Sequence, residues 1–385
     1  MRVACRTGVG TTVAIASACA AAWGGCSLYD RSLLVEVEAS AGVDASEAAT
    51  PCVRARWPAR PAADSPGGAP NIDFYNALTS LEFGPRDGGS AALTGFDLDG
   101  VCTCPEGPSC TPASGNKARC DRAGGIDNSG EDLFAQLSQY PAFWSPALIS
   151  ERLSKGVFGG LIRVRGYNGG PDDTQVEVSF FASNGTEGAQ SGLPKVPTGD
   201  GTDKWTLDPD SLLGGAIADG GPPIPVSAVD VSAYVAGGKL VAHLDLPIRP
   251  RAGTPPAPVT IELSGATIMA TLTRSGSTFK MDGGVIAGRW QARKLLTALR
   301  TGRDPVTPTL SLCGTDPVYQ QVKAQVCTLP DLATNVTDDG KGAPCDAVSV
   351  GLGFTAAPAT FGSVLAAGDA GADTCGPQWT DSCPL

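Results

Sequence analysis

Four oxygen-bearing side chains in one stretch of the chain have the types and spacing of a calcium site. Asp97 and Asp99 lie in a segment that reads Asp-Leu-Asp-Gly, and Asp127 and Asn128 follow later in the same stretch. Calcium takes about six to eight oxygen ligands, and clustered Asp and Asn side chains supply them. The glycine permits a sharp turn, but the segment departs from the EF-hand spacing because no third oxygen ligand follows Gly100.

The same stretch, 93–132, is rich in cysteine, and a second interpretation makes it a disulfide-held surface loop with solvated acids. If its cysteines close the loop, the segment around Asp127 returns to Asp97 and the oxygens converge. If they do not, the acids only face solvent. Calcium is the one cofactor that these residues suggest.

The cysteine count indicates a disulfide framework. Of 13 cysteines, Cys5 and Cys19 lie within residues 1–25 and Cys26 follows directly. An even remainder of ten in an exported chain predicts five disulfides. These ten are Cys52, Cys102, Cys104, Cys110, Cys120, Cys313, Cys327, Cys345, Cys375 and Cys383. The Cys-x-Cys spacing lacks the Cys-x-x-Cys pairs and nearby His that zinc sites favour.

Residues 1–25 have the pattern of an export signal, with two early arginines and an apolar run too short to span a bilayer. The run ends in Ala-Trp-Gly-Gly-Cys at 22–26, which resembles the lipobox of bacterial lipoproteins. The resemblance implies a lipid on Cys26, attachment to a membrane through it, and an outer-membrane or cell-surface location. Cys19 is a second, overlapping candidate, and an ordinary cleaved signal is the alternative.

Charge and composition exclude some partners. Without the two arginines of the signal, the net charge falls from −11 to −13, and an acidic protein repels the phosphates of nucleic acid. No later apolar run is long enough for a transmembrane helix. Residues 26–51 are predicted to be a flexible tether, and residues 52–385 a single domain with stapled ends.

The middle of the chain is predicted to be β-rich. Alternating apolar residues at 157–165 and 176–180 flank a turn at 167–173, which indicates a hairpin. Further strands are expected at 240–246, at 259–273 with a break around Gly265, and at 279–287 with a turn at Gly283. With 50 glycines and 31 prolines, many short strands predict an antiparallel β-sandwich of jelly-roll or lectin-like type.

Two short helices are expected in the C-terminal part, 290–385. One spans 290–299, with Trp290 in its apolar stripe, and the other begins at Asp316 and Pro317, a favourable cap and first position. Cys313 and Cys327 flank the second helix and could pair with each other. Alternation at 346–355 predicts a further strand.

His243, the only histidine, shares a strand face with Asp245. A histidine beside a carboxylate can act as a general base, and the alternative is an incidental histidine that faces solvent. No serine lies in a Gly-x-Ser-x-Gly motif that would supply a nucleophile, and no catalytic residue is assigned.

These features favour a non-enzymatic, lipid-anchored surface protein that binds a glycan or a protein. One alternative is a carboxylate-dependent hydrolase of glycosidase type that uses acids within 97–132, or Asp172 and Asp173. The other is a structural component of the envelope without a small ligand.

Overall fold

The computed structural model describes residues 54–66, 71–84, 94–104, 106–141, 144–188, 195–213, 227–252, 257–302, 311–365, 375–376 and 379–384. The strands are β1 (Ile72–Glu82), β2 (Gly159–Tyr167), β3 (Asp173–Ser183), β4 (Lys204–Leu207), β5 (Ala228–Ala236), β6 (Lys239–Ile248), β7 (Arg251–Ala252), β8 (Ala257–Pro258), β9 (Ile261–Ser275), β10 (Thr278–Gln291) and β11 (Ala347–Val364). The helices are α1 (Gly130–Leu137), α2 (Pro146–Ser154), α3 (Ala292–Leu299) and α4 (Pro317–Val326).

The main sheet closes on itself because β1 has partners on both edges. β1 runs antiparallel to β2 on one side and to β11 on the other. The order β1-β2-β3-β5-β6-β9-β10-β11 therefore forms an eight-stranded antiparallel barrel, and β4 adds a ninth strand parallel to the end of β11. The predicted β-sandwich is wrong, since a sandwich has two separate sheets and here each barrel strand has two neighbours.

Glycines that were expected in turns lie inside long strands instead. Gly265 falls within β9 and Gly283 within β10, with φ values of 54° and 56°. The pairing register shifts beside both glycines. A bulge adds a residue to one strand and increases its bend and twist, so these strands curve around the barrel where a turn would have reversed them.

Other local predictions fare better. The predicted hairpin is present as β2 and β3, and α4 begins as expected, with the Asp316 carboxylate accepting the Tyr319 amide. α3 begins two residues later than predicted, because Trp290 and Gln291 are still paired with β11. The helices α1 and α2 and the strands β1, β4, β5, β7 and β8 were not predicted.

The largest apolar cluster combines barrel side chains with the helices. Phe74, Ile162 and Phe354 belong to it, together with Phe134 of α1 and Leu295 of α3. An eight-stranded barrel has an interior just wide enough for side chains to fill. A smaller cluster lies around Trp205 and Leu207 of β4, which explains why both faces of β2 are apolar.

Four disulfides join pairs of cysteines within the described part of the chain. They are Cys104–Cys120, Cys110–Cys345, Cys313–Cys375 and Cys327–Cys383. A Cys313–Cys327 bridge is therefore excluded, and Cys102 is also disulfide-bonded. This framework indicates an oxidising, extracytoplasmic location.

Several predictions fall on residues outside the described ranges. They concern the signal at 1–25, the tether at 26–51, lipidation at Cys26 and the bonding of Cys52. Among the described helices, none is long and apolar enough to cross a membrane.

Candidate functional site

Backbone pairing holds together the acidic loop, which is the stretch 93–132, from two sides. Phe96 forms an antiparallel bridge with Asp127, so the two halves of the loop meet as the cysteines suggested. On the other side, Asp97 donates its amide to Ala55, and Ala55 donates its amide to Gly124. The Cys104–Cys120 disulfide closes the intervening segment.

This folding brings three of the four predicted ligands together. Asp97, Asp99 and Asp127 each place one carboxylate oxygen within 4.8 Å of the other two. Backbone amides of the same loop also hold one oxygen of each carboxylate. Gly100 donates to Asp97 Oδ1 at 2.6 Å, Val101 donates to Asp99 Oδ1 at 2.8 Å, and Leu98 donates to Asp127 Oδ2 at 2.6 Å.

Asn128, the fourth predicted ligand, has a different role. Its Oδ1 accepts the Gly351 amide at 2.9 Å and its Nδ2 donates to the Thr94 carbonyl at 2.8 Å. The side chain therefore joins the acidic loop to β11. Gly351 permits this approach, since a Cβ there would lie 2.2 Å from the Thr94 oxygen.

A polar cavity of 570 Å³ borders the cluster on the side of Asp127. Four aspartates line it, namely Asp121, Asp127, Asp132 and Asp331, with Lys117, Arg119 and Arg122 among the basic residues and Asn116, Asn128, Ser129 and Thr328 among the neutral polar ones. The Asp127 carboxyl group lowers the pKa of Asp121 through a side-chain hydrogen bond, so these two groups lie close together.

Sequence reasoning missed Asp331. It lies in the segment after α4, and its carboxylate accepts the amide and the hydroxyl of Ser349 on β11 at 2.8 and 2.5 Å. No periodicity or motif marks it, because it reaches the cavity only through the long-range packing of that segment against β11.

Burial and mutual repulsion make these carboxyl groups reluctant to ionise. Burial raises the pKa of Asp127 well above its usual range, and the charges of Asp99 and Asp331 raise it further. Burial also raises the pKa of Asp121 and of Asp97, with a further contribution from Asp99 in each case. The hydrogen bonds from Leu98, Thr103 and Gly100 act in the opposite direction.

Arginines offset part of this charge at the edges. Arg119 and Arg122 both bind Asp132. Arg54 and Arg56 approach Asp97 Oδ2 only to 3.8 and 3.7 Å, which is beyond hydrogen-bonding distance.

The buried Arg289 of β10 forms an ion pair with Asp339, in the turn at 337–340. It binds both oxygens of Asp339 and also donates to the carbonyls of Ala333 and Leu98. Arg289 thus ties the loop to the barrel and adds no ion pair to the cluster of three carboxylates.

His243 stands apart from these acids. Its ring lies on the exposed face of β6, with Nδ1 3.0 Å from the Thr267 hydroxyl. Asp245 instead accepts the Gly265 amide at 2.9 Å. The histidine and the carboxylate do not form a hydrogen-bonded pair, which agrees with the reading of His243 as an incidental surface residue.

Compared with known proteins, the chain matches no family model, no curated protein and no solved structure.

Proposed function

We propose that this chain is an exported, non-enzymatic binding protein that holds a glycan unit in the cavity beside the acidic loop. The observation that carries the proposal is the convergence of hydrogen-bond acceptors and donors in one cavity. Asp121 and Asp331 supply acceptors there, and Arg119 and Lys117 supply donors. A volume of 570 Å³ lies within the ordinary range for small-ligand sites, about 300–1,000 Å³.

A glycan suits this lining better than an apolar ligand does. Each sugar hydroxyl both donates and accepts hydrogen bonds, so it can pair with carboxylates and with guanidinium or ammonium groups. Buried polar groups that a ligand must satisfy also give strong discrimination against analogues without the matching hydroxyl.

A glycan array probed with the oxidised protein tests this function, followed by titration calorimetry on the best hit. Lys117 is exposed at the cavity, so Lys117→Ala should weaken binding by about five- to tenfold through loss of one charged hydrogen bond. Lys280→Ala removes the same charge from β10, outside the cavity lining, and should bind like the parent. No glycan above background, or equal weakening in both variants, would rule the proposal out.

A carboxylate-dependent hydrolase is the second candidate, because four aspartates line the same cavity. Glycosidases separate their two carboxyl groups by about 5 Å or more to admit the sugar and water. Asp121 and Asp127 lie closer together than this, so that pair favours binding over hydrolysis. Turnover of chromogenic glycosides that Asp121→Asn abolishes would replace the binding function with the hydrolase.

We also propose that Cys26 carries a lipid that anchors the protein to a membrane. The support for this anchor is the lipobox-like segment that ends at Cys26. Cys26→Ala should release the protein from membranes and remove labelling by a palmitate analogue, since one or two acyl chains would supply the membrane affinity. Cys19→Ala is the control. Unchanged labelling of the Cys26 variant would refute this site.

A further inference from the structure

We infer that Asp97, Asp99 and Asp127 form a calcium site that is distinct from the ligand cavity. Asp97 and Asp99 do not line that cavity, and only Asp127 is shared between the two. The inference does not depend on what the cavity binds.

The distances between the three carboxylates suit one shared calcium ion. Their oxygens lie within 4.8 Å of one another. Two oxygens that bind the same Ca²⁺ at about 2.4 Å can be at most about 4.8 Å apart. Mg²⁺ is usually bound through one or two carboxylates and keeps several waters, so a set of three carboxylates favours the larger ion.

The loop arranges these carboxylates in advance. The amides of Leu98, Gly100 and Val101 each hold one oxygen of a different aspartate. Because those bonds fix the orientation of the carboxylates, little side-chain freedom remains to be lost when an ion binds.

Two carboxylate oxygens of the cluster provide a second, independent observation in favour of a bound cation. The Oδ2 atoms of Asp97 and Asp99 are buried and accept no hydrogen bond, and the side chain of Asp97 has no exposed surface. A buried carboxylate oxygen without a partner is costly, and such charges are normally paired or bound to a metal.

The nearby arginines do not replace the ion. The nitrogen atoms of Arg54 and Arg56 that approach Asp97 Oδ2 stay beyond hydrogen-bonding distance, and the two side chains are 38% and 56% exposed. Asp99 has no arginine within ion-pair distance among the described residues. The positive charges of Arg54 and Arg56 lie at the edge of the cluster, so they do not neutralise the negative charge at its centre.

The donor set selects a hard cation. All three ligands are oxygens, and the neighbouring cysteines Cys102 and Cys104 are disulfide-bonded, so they have no thiolate for zinc. Oxygen-only sites suit calcium and magnesium, and the presence of three carboxylates favours calcium.

Calcium titration of the full-length oxidised protein, after chelation and dialysis, tests the site. The parent should bind one Ca²⁺, at least tenfold more tightly than Mg²⁺, and 10 mM calcium should raise its melting temperature by about 5 °C. Asp99→Asn keeps the shape and the bond to Val101 but should lower calcium affinity at least tenfold. Asp282→Asn, which removes the same charge from β10, should behave like the parent.

Arg56→Ala is a second variant at an exposed position, where folding is not at risk. Removal of a positive charge 3.7 Å from a ligand oxygen should tighten calcium binding by about threefold. No binding heat and no thermal shift in the parent at 10 mM calcium would overturn the site. Parent-like affinity in Asp99→Asn would overturn it as well.

Discussion

Asn128 and Asp127 are neighbours in the chain, yet their side chains serve different partners. Asp127 faces the carboxylate cluster, whereas Asn128 is 5% exposed and is held between Thr94 and Gly351. From the sequence alone, an asparagine next to an aspartate could bind an ion or could hydrogen-bond to a neighbouring strand. Only the backbone of β11, far away in the chain, decides between the two roles.

We expect Asn128→Ala to lower the free energy of unfolding by about 2–4 kcal/mol. The change removes the hydrogen bond to the buried Gly351 amide and the bond to the Thr94 carbonyl, and a lost buried bond costs about 1–3 kcal/mol. Chemical denaturation measures the effect. Asn335→Ala is the control, since the exposed Asn335 only donates to Asp338, and it should change stability by less than about 0.5 kcal/mol.

If Asn128 were a calcium ligand after all, its alanine variant would lose affinity at least tenfold while calcium-free stability changed little. The structure predicts the opposite pattern, in which stability falls and the calcium affinity of the folded fraction stays within about twofold of the parent value. The two measurements together separate a ligand from a residue that positions the loop.

The convergence of Asp97, Asp99 and Asp127 could be foreseen, because cysteines flank the segment that brings them together. Asp331 could not. Its carboxylate is held by Ser349 of β11. No local sequence pattern encodes that contact.

At the scale of elements, the disulfide-closed loop Cys104–Cys120 supports both the cluster and the cavity. It carries Asn116, Lys117 and Arg119 along the cavity wall, and Thr103 within the same region holds Asp121 at 2.8 Å. Constraint of this loop therefore fixes one wall of the candidate site.

Replacement of Cys104 and Cys120 together by serine should cost about 3 kcal/mol of stability, as expected for a loop of this length. We also expect calcium affinity to fall by several-fold, because the loop that returns Asp127 to Asp97 is freed. The matched control is the Cys313–Cys375 pair, which closes a different segment. It should lower stability and leave calcium affinity unchanged. Equal effects of the two double variants on calcium affinity would contradict this role.

At the scale of the whole molecule, the short-range features could be predicted from the sequence, but the closure of the sheet into a barrel could not. The β2–β3 hairpin and α4 have local signals, namely a turn of Asn, Gly and Asp residues and an Asp-Pro cap. Closure depends on β1 meeting β11 across most of the chain, and β1 is a poor strand by pattern. Its Asn76 is fully buried with an unpartnered amide, where an apolar residue would have completed the alternation.

The β-bulges also made the long strands hard to predict from the sequence. A glycine inside an alternating segment reads as a turn or as a bulge, and the choice depends on whether the partner strand continues past it. Here β10 and β11 stay paired across the bulge at Gly283, so two apparent short strands are one long curved strand.

The Cys110–Cys345 bridge has a mechanical consequence. It joins positions 235 residues apart, and all strands from β2 to β10 lie between them. When the two ends of the oxidised chain are pulled, tension crosses the sulfur bridge and bypasses this segment, which withholds roughly 800 Å of contour length. The strands β2 to β10 therefore stay outside the force path, and most of the barrel wall bears no load.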